Sequence, residues 1–332
     1  MSVTRALLGC GVLCLVLAAA RLASAADGAL EISHGCASGA GCFVGDAPGY
    51  PVEITGLAGR DYVLASDLTV PNANTDAILL SGTVRGLTID LAGFSILGPT
   101  ACSGTPATCV GGGTGSGIKA GTNVSGVHVF GGNVRGMGTA GLNLGTECQV
   151  ERVIVASNGG VGLVAPKSCR VDRVSAIRNG SVGIDTGEGV VTTRSIAFAN
   201  ALSGFEAVGV VRGCVARQNG FVGILAGFFS TITESSTSGN NQDGIRCSEG
   251  CLIRGNVALT NGADGINCGP GCSVQANASY GNGDFGLELS TLATTYQDNT
   301  VVNNVIGAVN NGIGRGGNHC VGAGVVTPPD CP

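Results

Sequence analysis

The chain has 332 residues, with 17 Lys and Arg against 22 Asp and Glu, a formal net charge of −5. An acidic chain lacks the basic surface needed to neutralise phosphates, so nucleic acid is not an expected partner. With 59 glycines, 44% hydrophobic residues and no Trp, it is too apolar for a disordered chain and points to an aliphatic core cut by many tight turns.

Arg5, the apolar run 6–20 and Ala23-Ser24-Ala25 read as a secretory signal peptide, residues 1–25, cut after Ala25. No later segment approaches the roughly 20 apolar residues of a membrane span. The expected location is therefore secreted, periplasmic or at the cell surface, and the 13 cysteines beyond residue 25 are expected mainly in disulfides.

Residues 26–116 are irregular. Segments 51–54, 61–64, 68–70, 77–80 and 87–91 read as strands of a cap and first coils, and 99–117 as a Gly/Thr-rich excursion pinned by Cys102 and Cys109. Cys36 and Cys42 stand ahead of them.

Residues 117–315 carry a repeat. A glycine followed by a large apolar residue recurs at Gly117, Gly141, Gly162, Gly183, Gly204, Gly223, Gly244, Gly265, Gly286 and Gly307, at intervals of 24, 21, 21, 21, 19, 21, 21, 21 and 21. Four residues ahead of the later glycines stand Asn158, Asn179, Asn200, Asn219, Asn240, Asn261, Asn282 and Asn303. Apolar stretches of three to five residues alternate with Gly, Asn and Ser, and no 3.6-residue period is sustained. Short strands joined by bends fit that pattern, and stacking of about 21-residue units gives an all-β solenoid. The predicted fold is a single-stranded right-handed parallel β-helix of roughly 12 coils. The asparagines are expected to form a ladder at a bend, each amide bonding to the next. Residues 316–332, with Cys320 and Cys331, read as a closing cap.

Cysteines fall into register with the repeat. Cys148, Cys169, Cys251 and Cys272 share one column, and Cys247 and Cys268 another. Adjacent strands lie about 4.8 Å apart, within disulfide reach, so Cys148 and Cys169 should staple neighbouring coils. Cys247, Cys251, Cys268 and Cys272 could pair within or between coils, with a zinc site as the rival. Cys214 is left over and reads as a buried free thiol.

The Asn-Gly-x-x-Gly-Ile units resemble the repeats of the pectate lyase-like superfamily, and 88–94 resembles the opening coil of secreted bacterial β-helix proteins. That resemblance implies the fold over roughly residues 50–315. Its functions are diverse, and the Trp-containing lyase motif and the full polygalacturonase signature do not occur here.

The chemistry is therefore sought in the column just after the Gly-apolar pair, which should face outward. Asp185 and Glu206 lie one coil apart there, near the spacing of paired carboxylates in retaining glycosidases, and Arg246 lies two coils further. Asn143, Asn267 and Glu288 of that column are candidate substrate-binding residues. Asp243 and Asp264 form a like-charge stack that calcium could relieve; no other cofactor is expected. The favoured reading is a monomeric, noncatalytic surface for an extracellular or envelope polysaccharide. The alternative is a polysaccharide lyase, glycoside hydrolase or epimerase.

Overall fold

The computed structural model describes residues 28–56, 60–290 and 293–322. The proposed leader and Cys331 lie outside the described residues. Triplets such as Ile245–Cys247, Leu252–Arg254 and Val257–Leu259 form short strands whose middle or outer members alternate between core and surface. Each coil contributes one strand to each of three stacks, and the stacks run parallel from coil to coil. The chain is a right-handed parallel β-helix with about 21 residues per coil.

The first stack shows its depth through one inward column: Val52, Ile78, Ile118, Leu142, Leu163, Ile184, Phe205, Ile224, Ile245, Ile266, Leu287 and Val309, each in register with the next. All twelve are buried. The N-terminal strands are thus regular rungs of the same helix. Leu30–Ile32 adds above Asp61–Leu64 in the second stack. The short helix His34–Ala37 and the Cys36–Cys42 disulfide stand beside this first rung, with Phe43 packed on Tyr62 at 5.4 Å between ring centroids.

The asparagine side chains form an interior ladder. Asn158 Nδ2 donates to Asn179 Oδ1 at 3.0 Å, and the pattern continues through Asn200, Asn219, Asn240, Asn261 and Asn282. Each amide also donates to a carbonyl of the preceding coil, as Asn179 does to Val155 at 3.1 Å. These members are 0–2% exposed, so every polar atom needs such a partner. The left-handed backbone falls one residue ahead of the asparagines, at Ser157, Arg178, Ala199, Gln218 and Thr260. Asn is there for its amide and not for its φ.

The last repeat corrects the sequence reading. Asn282 donates to Asn304, not to Asn303, which is exposed with φ 55°. Leu287 is in register with Val309, so Ala308 stands where Gly307 was expected. One extra residue between Leu289 and Thr295 lengthens this coil: Cys268 and Ser273 face Leu289 and Thr295. The short interval has the opposite origin. Thr186 and Val191 are in register with Ala207 and Val210, so two residues are missing from the corner between first and second stacks.

A second ladder, unread in the sequence, follows the bend between second and third stacks. Asn256, Asn277, Asn299 and Asn318 bond in series, with Ser235 above them bonding to the Cys214 amide. Cys214 is buried and free, its thiol pushed up to about 12 by burial.

Disulfides join Cys148 to Cys169 across coils, and Cys247 to Cys251 and Cys268 to Cys272 within coils. The sulfurs of Cys247, Cys251 and Cys272 lie within 4.8 Å of one another. Cys320 is also disulfide-bonded.

Candidate functional site

The outer face of the first stack carries the column expected from the repeat. Lys119, Asn143, Val164, Asp185, Glu206, Leu225, Arg246, Asn267, Glu288 and Asn310 follow one another in register. Asp185 and Glu206 are direct neighbours, flanked by Val164 on one side and Leu225 on the other. Burial raises the Asp185 carboxyl above the usual range. Burial raises Glu206 as well; the Ser203 hydroxyl pulls it back and the Asp185 charge pushes it further up.

A local rule governs the other members. The residue before the repeat glycine reaches the residue after the apolar one, three positions on. Asp243 thus takes Arg246, its Oδ2 accepting from Nε at 2.5 Å while Asp243 is only 1% exposed. Asp264 takes Asn267 at 2.9 Å. On the N-terminal side, Lys119 pairs with Asp76 of the preceding coil at 3.2 Å. Glu206 has Ser203 at the same offset, and Asp185 has the apolar Val182.

Two expectations change accordingly. Arg246 is not a free cation two coils from Glu206; it is the counter-ion of Asp243, with its guanidinium 5.5 Å from the Phe221 ring centroid. Asp243 and Asp264 do not face each other as an open pair for calcium. Asp243 Oδ1 accepts from the Asp264 backbone N–H at 3.1 Å, and Asp264 Oδ1 accepts from the Phe285 N–H at 3.0 Å. Arg246 and Asn267 donate to the other oxygens. Burial, opposed by the Phe285 N–H and the Asn267 amide and helped by the charges of Asp243 and Glu288, lifts Asp264 to about 6. Of the proposed binding residues, Asn267 is committed to Asp264, Glu288 accepts from Asn310 at 2.9 Å, and Asn143 is half-buried between Lys119 and Val164 in the column.

The excursion after Pro99 bears on this face. Its two strands, Ala101–Ser103 and Thr108–Val110, form a hairpin closed by the Cys102–Cys109 disulfide. Arg178 Nε donates to the Gly104 carbonyl, and the Ala107 N–H donates to the Ala199 carbonyl at 2.9 Å. A β-carbon on Gly180 would lie 2.8 Å from Cys109 Sγ, and one on Gly220 3.1 Å from Pro106 Cβ. The hairpin therefore crosses the turns that lead into the strands bearing Asp185 and Glu206. Sequence reasoning marked the disulfide-pinned excursion but had no signal for its hairpin strands or for where they land.

No family model matches the chain, and no curated protein matches its sequence. Solved structures do. The A-module of the Azotobacter vinelandii mannuronan C-5 epimerase AlgE4 is 16% identical, with TM-score 0.51, covering 82% of this chain and 91% of that one. The pectate lyase Pel9A is 15% identical, TM-score 0.52, covering 90% and 81%. The catalytic domain of a GH87 α-1,3-glucanase, solved with tetrasaccharides, is 11% identical, TM-score 0.53, covering 92% and 63%. The chain shares their parallel β-helix fold. At these identities the likeness is one of fold.

Proposed function

We propose that the protein is an exported glycan-active β-helix that takes a polysaccharide across the outer face of its first stack, with Asp185 and Glu206 as its acid–base pair. One observation carries this reading. Asp185 and Glu206 are adjacent and buried enough to hold protons more tightly than usual, with no cationic partner among the described residues, whereas Lys119 and Arg246 of the same column are ion-paired. A strand spacing of about 4.8 Å sets the carboxyl groups near the separation at which one donates a proton and the other attacks or stabilises the sugar. With Arg246 engaged by Asp243, no basic side chain among the described residues pairs with the two carboxyls, and a carboxyl pair at this spacing favours hydrolysis. The polysaccharide-directed activities named for the three solved structures support a glycan as partner, and the leader-like residues 1–25 and the disulfides support export.

The second reading is noncatalytic display of the same face to a glycan, and the commitment of Arg246 to Asp243 favours it. Release of reducing ends and of unsaturated products from a panel of neutral and acidic polysaccharides separates the two. Turnover is expected, falling at least a hundredfold in Asp185→Asn and Glu206→Gln with the circular dichroism spectrum unchanged. A wild type without turnover on every polymer, yet retained on a glycan array, overturns the acid–base pair and leaves the display reading.

A further inference from the structure

A second face of the helix has a different chemical character. At the bend between the second and third stacks, Arg152, Arg173 and Arg194 occupy one position in three successive coils, each exposed and with φ near 50°. Gly213 follows in that column and leaves a gap. On the adjoining strands Arg170, Arg212 and Arg254 point outward. The gap opens into a cavity of about 500 Å³ lined by Arg170, Asp172, Arg194, Arg212 and Glu234, among others. A neighbouring cavity of about 690 Å³ shares Arg212 and Glu234 and extends to Arg254. The two make one groove along the helix axis.

Four arginines, Arg170, Arg194, Arg212 and Arg254, line the groove with the three carboxylates of Glu151, Asp172 and Glu234, and Arg152 and Arg173 stand in the adjoining bend column, in a chain whose formal charge is −5. Asp172 is taken by Arg194 at 2.7 Å and Arg173 at 3.6 Å, and Glu234 by Arg212 at 3.0 Å. Arg152, Arg170 and Arg254 are exposed and have no carboxylate partner among the described residues. Guanidinium forks bind carboxylate and sulfate in two-point fashion. Their recurrence at multiples of the coil rise, about 4.8 Å, suits a ligand with one anionic group per unit.

We propose that this groove binds a linear acidic polysaccharide, through its carboxylates or sulfate esters, lying along the helix axis. The site is separate from Asp185 and Glu206, which lie on the first stack, and it does not depend on turnover there. A single-stranded nucleic acid shares the charge, but the groove lining offers no aromatic ring for base stacking.

The test is fluorescence anisotropy of the intact chain with labelled oligogalacturonate, a sulfated dextran oligosaccharide, a neutral maltooligosaccharide and oligothymidylate of similar length. At least one of the two acidic glycans is expected to bind, and which one does identifies the anion. Its affinity should fall more than tenfold when salt rises from about 50 to about 200 mM, and the neutral chain should bind at least tenfold more weakly. The combined Arg152→Gln, Arg170→Gln and Arg254→Gln variant should lose at least tenfold in affinity at low salt while keeping its circular dichroism spectrum. Asp185→Asn with Glu206→Gln should bind as wild type does. Absence of saturable binding by both acidic glycans, undiminished binding by the triple variant, or equal or tighter binding of oligothymidylate overturns the proposal.

Discussion

The side-chain amide nitrogen of Asn179 lies 2.7 Å from the point where a β-carbon on Gly162 would stand, and the Gly183 carbonyl oxygen lies 2.5 Å from it. The glycine and asparagine columns of the repeat are therefore one feature. Each ladder amide fills the space that the glycine of the preceding coil leaves empty.

Gly162→Ala should cost more than about 2 kcal/mol, because the β-carbon must displace a buried amide and a backbone carbonyl together. Gly255, with φ 67° and open space around its β-carbon position, is the control; there Ala should cost only about 1 kcal/mol of backbone strain. Equal midpoints for the two variants in chemical denaturation would contradict the steric account.

The ladder makes a position-specific prediction at its C-terminal end. Asn179→Ala and Asn261→Ala should each cost on the order of 1 to 3 kcal/mol, since buried groups in two coils lose partners. Asn304→Ala should behave like them, whereas Asn303→Ala should cost no more than about 1 kcal/mol, the strain of Ala at φ 55°. Reversed effects at 303 and 304 in denaturant titrations would restore the register read from the sequence.

Cysteine chemistry is the third prediction. Peptide mapping without reduction should recover Cys148 linked to Cys169, Cys247 to Cys251 and Cys268 to Cys272. Cys214 should resist alkylation near neutral pH in the folded protein and react once unfolded, because burial disfavours its thiolate. Rapid native labelling of Cys214 would contradict its place in the core.

Stability should respond to pH through Asp264. Its folded-state value of about 6 exceeds the ordinary 3.8, so the folded chain binds more protons than the unfolded one between those values. That contribution is fully present below about 4 and is lost as pH rises through about 6. Asp185 and Glu206 are raised too and act in the same sense. The melting temperature of the wild type is expected to rise on going from pH 7 to pH 5, and Asp264→Asn should flatten that rise. A wild-type melting temperature that falls over this window would contradict the assignment.

Much of the fold was legible because the repeat is a packing rule. A solenoid coil must place the same residue type at the same point of its circuit, so inward apolar residues, the glycine and the ladder asparagine recur at fixed spacing. The outward column containing Asp185 and Glu206 followed from that period alone, as did the free Cys214 and the inter-coil Cys148–Cys169 bond. The period failed where a coil changed length at a corner: one residue added after Leu289 moved the ladder to Asn304.

Tertiary structure decided what the outward residues do. Sequence spacing placed Arg246 on the face of Glu206, but only the turn geometry gave it to Asp243, three residues away. The arginines of the second stack come from different strands and bends, so no single window of sequence gathers them; the stacking of coils does. The landing of the Cys102–Cys109 hairpin beside the Asp185 and Glu206 strands, about 80 to 100 residues later in the chain, is of the same kind. A periodic sequence specifies the coil because each coil repeats the same local contacts. Pairing of side chains between coils and across bends depends on distances that exist only once the coils are stacked.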